Sequence, residues 1–588
     1  MSNTEINFAT GQGRSWRLEQ IVSLAITVVA GAVVYGIFVR RGIWLSVIGY
    51  SVSPAERVLE GEVPYRDFLY NYTPGTLWVN ALLMKVFGAT LITVNYGLLA
   101  FKLATLVAVY WLGRRLVSHW AALIPVALTL AWLGHKYIYG VVPTQYSMLF
   151  VLLGLNFMLS FDKGSGRRWL FLSGVSVGLV LVFKYNVGVA LLGTGTLIVA
   201  IREVIQQSGD EIPFLRRVIA ATRVAAFYWA GFAVVAGALA IYLAQQGALA
   251  PMISHFLRHA GEYSEVRAVG LPRPHLVAPA VVAGALAAVF GLVMLHKASR
   301  WFELYLILLL AIGSALMLVP GRAYAIKVSG TSLVAYSPLL LFAIAGLMAF
   351  RQFRHSAHDR ASAKESWRRI APGVVVTSFA LGAYLEMYPR ADQYHLVRLL
   401  PVIFLLALLL IARSVPALAA YLQRRLQSPG RAALLCASVP LTFLLAVGVK
   451  DTWQPQFDSS LQFIDRTPVA LDRAEGILVS RKQAEFINGL TKIITDNSAA
   501  GDYIFSFAQR GTGLYFLTDR RNPTRFVWWR SVGLEERDRQ LVLDKIAERT
   551  PKLVLLQDSL RDVRIRERVT SNYDHIGNVA DIGVFNRR

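Results

Sequence analysis

Apolar runs of membrane-spanning length recur along the first three quarters of the chain and then stop. They fall at about 20–38, 90–112, 119–134, 145–161, 169–183, 187–201, 225–244, 276–295, 301–319, 333–350, 370–385, 396–412 and 432–449. Roughly 20 apolar residues in helical form cross the hydrocarbon core, so the pattern predicts about thirteen transmembrane helices. From 450 onward short apolar stretches alternate with amphipathic ones. That part predicts helices at about 481–497 and 534–549 and strands at 502–508, 514–518 and 552–557. The expected fold class is an all-α polytopic membrane domain, residues 1–449, followed by a small α/β extracytoplasmic domain, residues 450–588.

Composition supports the membrane reading. Of 588 residues, 55% are hydrophobic and only 16% charged, against about a quarter charged in soluble domains. The net charge of +24 would suggest nucleic acid in a soluble protein. Its location argues otherwise, because residues 450–588 hold 22 Lys/Arg and 19 Asp/Glu, leaving the excess among the spans. With the N-terminus inside, one set of loops carries the pairs Arg114/Arg115, Arg167/Arg168, Arg216/Arg217, Arg368/Arg369 and Arg424/Arg425. That side totals 23 Lys/Arg, against about 12 on the other, which predicts a cytoplasmic N-terminus and an outward-facing tail. No cleavage pattern ends the first run, so a retained span is expected. The single cysteine, Cys436, excludes an internal disulfide or a cysteine-based zinc site. Neither an inverted repeat nor matching broken helices are found, which weakens a secondary-transporter reading.

The outward segments hold most of the histidines, aromatics and acids of the membrane half, whereas the inward loops are Arg-rich connectors. The first outer loop, 42–89, is the most informative. It runs from Pro54 through Ala-Glu-Arg-Val-Leu-Glu-Gly-Glu-Val-Pro-Tyr-Arg to Asp67, then Phe-Leu-Tyr-Asn-Tyr-Thr-Pro-Gly75. A short helix over 54–60 ended by Gly61 and an interfacial helix at about 76–87 are expected.

The A-E-R-V-L-E-G-E-V-P-Y-R-D-F pattern followed by Y-T-P-G resembles the membrane glycosyltransferases of the GT-C fold, which use polyprenyl-phosphate-linked sugars. That group includes the protein O-mannosyltransferases and the lipid A aminoarabinose transferases. The resemblance extends to the span layout, to Tyr388-Pro-Arg-Ala-Asp-Gln-Tyr-His395 before a late span, and to the outer tail. It implies transfer of a single sugar from a polyprenyl-phosphate donor to a hydroxyl acceptor on the outer face of a bacterial inner membrane, with an acid from the first loop taking the acceptor's proton. Many relatives carry an Asp-Glu pair about eight residues before the A-E-R step, where this chain has Val47 and Ile48.

The catalytic acid is therefore expected at Asp67, or else at Glu56. A sugar hydroxyl is a weak nucleophile and needs a positioned base, whereas a lipid phosphate leaves as a stabilised anion that needs cations. Lys184, between two spans, is the leading cation, with Arg390 and His395 next and Arg322 and Lys327 behind; Asp392, Arg66 and Tyr394 complete the expected donor site. The plain alternatives are that Asp67 pairs with Arg66 or caps a turn, that Lys184 snorkels to the interface, and that Arg390, Asp392 and His395 form a self-contained network.

His255 and His259 share a helix face, but Phe256 stands where an H-E-x-x-H site needs its glutamate, so an amphipathic interfacial helix is preferred to zinc. No cofactor is required, and no acidic cluster demands a divalent ion, although one could bind. Gly511 and Gly513 lack the third glycine of a dinucleotide fingerprint. The expected partners are the lipid-linked donor, the bilayer and a glycan, lipid or protein acceptor, with no nucleic acid. Competing readings are a flippase for a lipid-linked saccharide and a catalytically silent assembly subunit.

Overall fold

The computed structural model describes residues 13–133, 141–164, 166–207, 213–267, 338–350, 360–387, 393–422, 467–527, 536–560 and 562–588, with isolated positions between 438 and 445. The membrane half is built from helices α1 (Gly13–Val39), α2 (Ser53–Leu59), α3 (Gly75–Phe87), α4 (Leu91–Leu116), α5 (Leu123–Leu133), α6 (Pro143–Asp162), α7 (Arg167–Phe183), α8 (Tyr185–Gln206), α9 (Phe214–Gln245), α10 (Leu249–Arg267), α11 (Pro338–Phe350), α12 (Arg360–Tyr384) and α13 (Gln393–Leu422). Among the described residues seven helices are long and apolar enough to cross a membrane. The runs expected at 276–295 and 301–319, and nearly all of 432–449, lie outside the described residues. The α1 residues Leu18, Ile21, Val29 and Val33 are more than half exposed, as expected of side chains that meet lipid rather than protein.

Helices α7 and α9 pack backbone to backbone. A Cβ at Gly174 would stand 2.0 Å from the Tyr228 carbonyl oxygen, and one at Gly231 would stand 2.0 Å from the Phe171 carbonyl oxygen. Gly174 and Gly178 sit four apart on one face of α7, the small-residue spacing that lets membrane helices approach closely. This seam fixes the end of α7, where the chain breaks for one residue before α8.

The loop after α1, expected to face outward and called the first outer loop, follows its expected layout. Helix α2 ends at Leu59, Gly61 takes φ +95°, and α3 covers the interfacial segment. Val47 and Ile48 lie in a short helical and π turn before α2, and Ile48 is buried. The 245–275 segment carries the amphipathic helix α10.

The C-terminal unit adds β1 (Thr467–Pro468), β2 (Leu478–Val479), α14 (Arg481–Asn497), β3 (Ile504–Ser506), α15 (Leu514–Thr518), α16 (Glu536–Arg549), β4 (Leu553–Gln557), α17 (Val563–Asn572), β5 (Tyr573–Val579) and β6 (Ile582–Arg587). Its four-stranded sheet has the order β3-β4-β6-β5, parallel between β3 and β4 and antiparallel elsewhere. Helix α14 begins at Arg481, where Ser480 caps it by accepting from the Gln483 N–H.

One expectation fails here. Residues 514–518, expected as a strand, form the helical turn α15. All five side chains are buried, and periodicity does not tell a short buried strand from a buried helical turn when the run is apolar throughout its first four residues. Thr518 Oγ1 donates to the Leu514 carbonyl, and Asp519 closes the turn at φ +56°.

The two halves share one apolar core. Ile43, Leu45, Val52 and Phe68 of the first outer loop pack in the same cluster as Ile477, Leu490, Leu514 and Phe516. Backbone rungs join them as well: Leu478 N–H donates to the Arg40 carbonyl at 2.7 Å, Gly42 N–H to the Leu478 carbonyl at 2.8 Å, and Leu69 N–H to the Arg525 carbonyl at 2.8 Å. The contact is close enough that a Cβ at Gly513 would stand 2.4 Å from the Leu45 carbonyl oxygen.

Candidate functional site

Lys184 occupies the single-residue break between α7 and α8. Its backbone is extended, at φ −148° and ψ 92°. Its N–H still donates to the Val180 carbonyl, and its carbonyl accepts from Gly188 N–H. The segment Tyr72 to Gly75 braces this break: Thr73 Oγ1 donates to the Leu181 carbonyl at 2.6 Å, and a Cβ at Gly75 would stand 2.7 Å from the Val182 carbonyl oxygen. The side chain therefore leaves the helix axis and enters the protein, with 6% of it exposed.

There the Lys184 ammonium donates to Glu386 Oε1 at 2.8 Å, and Thr144 Oγ1 donates to the same oxygen at 2.8 Å. The Glu386 side chain is fully buried, and its Oε2 has no hydrogen-bond partner among the described residues. The Tyr72 ring lies 4.3 Å from the ammonium, a cation–π contact. Tyr72 belongs in turn to a cluster with Tyr50 and Tyr70, with ring centroids 5.5 to 6.0 Å apart. His395 lies within electrostatic reach of the Glu386 carboxylate, and Arg398 within reach of Lys184. Burying two charges costs several kcal/mol each, so an ion pair is retained here only with good geometry and further hydrogen bonds.

Asp67 has a different environment. Arg66 Nε and Nη2 donate to its two carboxylate oxygens at 2.9 and 2.8 Å, and Val63 N–H donates to Oδ2 at 2.7 Å. Asp67 thus both pairs with Arg66 and caps a turn, and these bonds hold its carboxyl below the usual range. Arg66 also reaches the Gln246 carbonyl at 3.4 Å. Glu56 is paired with Arg473, which also binds Asp519. Burial outweighs that pairing and pushes the Glu56 carboxyl up to about 7. Both acids line a cavity of about 620 Å³ between the first outer loop and the C-terminal unit.

The structure therefore gathers Lys184 and His395 around Glu386, while Asp67, Arg66 and Glu56 belong to the loop's other side. Arg390 and Asp392 lie outside the described residues, as do Arg322, Lys327 and the Tyr394 side chain. Glu386 and Tyr72 were not singled out from the sequence. Glu386 had a signal, since it is the one acid at the end of an otherwise apolar run. His255 Nε2 pairs with Asn71 Oδ1 at 3.1 Å, and among the described residues no group of three or more His, Cys, Asp or Glu is placed to hold a metal ion.

These features define a multi-pass helical membrane protein with a buried ion pair at a helix break and a C-terminal unit docked on its first outer loop. Residues 71–229 match the family model of dolichyl-phosphate-mannose-protein mannosyltransferases. The matched segment contains Tyr72, Thr144 and Lys184 and stops short of Glu386 and His395 on one side and Asp67 on the other. Among solved structures, the chain is similar to ArnT from Cupriavidus metallidurans in the apo state, at 11% identity and a TM-score of 0.49, covering 97% of this chain and 98% of that one. It is also similar to the same protein bound to undecaprenyl phosphate, at 14% identity and a TM-score of 0.45, covering 98% of each chain. No curated protein matches the sequence.

Proposed function

We propose that this protein is a glycosyltransferase of the outer face of a bacterial inner membrane, moving one sugar from a polyprenyl-phosphate carrier to a hydroxyl acceptor. The observation that carries the reading is the buried Lys184 at the α7–α8 break, inside the segment that matches the mannosyltransferase family. A lysine held at the break by Glu386, itself braced by Thr144, and by the Tyr72 ring is a preorganised cation for a departing lipid phosphate. The prenyl tail stays in the bilayer and only the phosphate enters the polar centre. His395 adds a second group there, and the donor site extends to Arg390, Asp392 and Tyr394, while Arg66, expected there from the sequence, is held by Asp67 and the Gln246 carbonyl instead.

The acceptor proton goes to a first-loop carboxylate. Glu56, with its carboxyl near 7, has the basicity for that step at neutral pH. Asp67, tied to Arg66 and the Val63 N–H, is charged but a weaker base, and its bonds keep the loop in shape. Val47 and Ile48, with the engaged Asp67, favour one other reading, a silent subunit that binds lipid without chemistry.

The test is single-sugar transfer by purified protein offered a panel of polyprenyl-phosphate sugars and a membrane-glycan extract. Transfer by wild type and its loss in Lys184→Met support the enzyme. Lipid binding without product from any donor supports the silent subunit, and lipid translocation without product supports a flippase.

A further inference from the structure

The cavity between the first outer loop and the C-terminal unit is separate from the Lys184 centre and has its own chemistry. Its volume of about 620 Å³ lies in the range of small-ligand sites. Of its aromatic lining, Tyr503 is half-buried while Tyr515 and Phe526 are almost wholly buried, and charged side chains of both signs make up much of the rest.

The two signs are not equally satisfied. Every acid on the wall has a cation within 4 Å: Glu56 and Asp519 are held by Arg473, Glu62 by Arg57, Asp67 by Arg66, and Glu60 stands 3.7 Å from Arg521. Arg520 and Arg525 have no carboxylate at that distance among the described residues. Arg520 donates to Ser498 Oγ and to the Ser498 and Thr518 carbonyls, and Arg525 reaches only the Tyr65 carbonyl, at 3.5 Å. Asp502 and Asp519 lie in electrostatic reach of Arg520, and Asp538 of Arg525, without forming ion pairs with them. All three guanidinium nitrogens of Arg520 are spent on Ser498 and Thr518 and the residue is buried, so the wall keeps one exposed guanidinium, Arg525, for an outside anion, and its planar fork matches carboxylate and phosphate oxygens.

The cavity is also close to the proposed donor centre. Asp67 lines it, and Tyr72, five residues on, lies against Lys184. Five residues span at most about 18 Å even when fully extended. Between them, Leu69 N–H is bonded to the Arg525 carbonyl at 2.8 Å.

We propose that this cavity binds an anionic saccharide and that this saccharide is the acceptor, an assignment that rests on the glycosyl-transfer reading. The acid group sits on Arg525, a sugar face lies on the Tyr503 ring, and the hydroxyl to be glycosylated points toward Glu56.

The test measures binding to the full-length protein in nanodiscs without any donor. The probes are a galacturonic acid trisaccharide, mannose 6-phosphate and the neutral trisaccharide maltotriose. The expected result is binding of one or both acidic probes, at least tenfold weaker binding of maltotriose, a further weakening with salt, and a tenfold loss in Arg525→Gln with its melting temperature unchanged. The tighter acidic probe tells carboxylate from phosphate. Arg525→Lys, which keeps the charge without the fork, is expected between the two. Equal binding of the neutral probe, acidic binding indifferent to Arg525→Gln, or no binding of either acidic probe overturns the proposal. Transfer assays on the same preparations separate the two readings: transfer without acidic-probe binding removes the cavity and keeps the enzyme, and Arg525-dependent binding without transfer from any donor removes the enzyme and keeps the anion site.

Discussion

Lys184 and Glu386, 202 residues apart in the chain, meet at 2.8 Å with almost no exposure to solvent. One comes from the break between α7 and α8 and the other from the end of the α12 segment, so the pair ties two parts of the helical bundle together. Removing one partner strands the other charge, at a cost of about 3–5 kcal/mol. Lys184→Met is expected to lose transfer and lower the melting temperature. The double variant Lys184→Met/Glu386→Gln is expected to recover most of the stability and none of the transfer. Thermal unfolding alongside the transfer assay checks both, and transfer by the double variant would remove Lys184 from the mechanism.

Glu56 gives a pH signature. Its carboxyl is pushed up to about 7 in the folded chain from an ordinary value of 4.5, so the folded state favours the neutral acid. The stability it confers is full below about pH 4.5 and is lost as pH rises through about 7, an amplitude of at most about 3.5 kcal/mol at roughly 1.4 kcal/mol per pKa unit. Glu56→Gln is expected to flatten this part of the stability profile and to slow transfer sharply. Differential scanning fluorimetry from pH 5 to 9 is the measurement, and an unchanged slope in the variant would show that another group titrates.

Asp67 carries the opposite sign. Its depressed carboxyl adds stability above its unfolded value, lost as pH falls through the folded one, and nothing changes near pH 7. Both partners of the Arg66–Asp67 pair are partly exposed, so Asp67→Asn is expected to cost no more than about 1 kcal/mol. Transfer by this variant separates its two roles. Retention of a third or more of the rate assigns Asp67 to shaping the loop, and complete loss with the fold intact makes it the base.

Docking of the C-terminal unit rests on close backbone approach. A Cβ at Gly513 would stand 2.4 Å from the Leu45 carbonyl oxygen, and one at Gly49 would stand 2.2 Å from Thr512 Oγ1. Gly513→Ala is expected to weaken docking by about 1–3 kcal/mol, the usual cost of forcing extra atoms into a packed site. Hydrogen exchange should rise at Gly42, Leu69 and Leu478, the interface amides bonded across the two halves, while the β4 and β6 amides stay protected. Uniform exposure of the whole unit would mean that the substitution unfolds it instead.

What the sequence made legible follows from which forces leave a local pattern. The runs over 145–161 and 169–183 reappear as α6 and α7, and the amphipathic stretch 481–497 reappears as α14, because burial in lipid or on a sheet imposes a period. Lys184 stood out as an ionisable residue between two apolar runs. Glu386 did not, because its meaning depends on a partner 202 residues away. The strand expected at 514–518 failed because a short buried apolar run reads equally as strand or helical turn. The β5–β6 hairpin was missed because β5 is mostly exposed and polar. The cavity beside Glu56 was invisible for the same reason as Glu386, since its walls are assembled from segments distant in sequence.

Arg57, in the first outer loop, donates to the carbonyl of Thr524, 467 residues later. Leu69 and residues 40–42 take backbone partners from the same distant stretch. At about 5–20 residues per second, a ribosome reaches that partner on the order of half a minute to a minute and a half after making the loop. The first long loop to be made is thus among the last to be finished. Until then its amides lack those partners, and the side chains of Leu45, Val52 and Phe68 lack the C-terminal part of their apolar cluster. A chain truncated before Arg525 would insert its first spans and still lack a completed first loop, so a premature stop disables the site at its beginning rather than at its end.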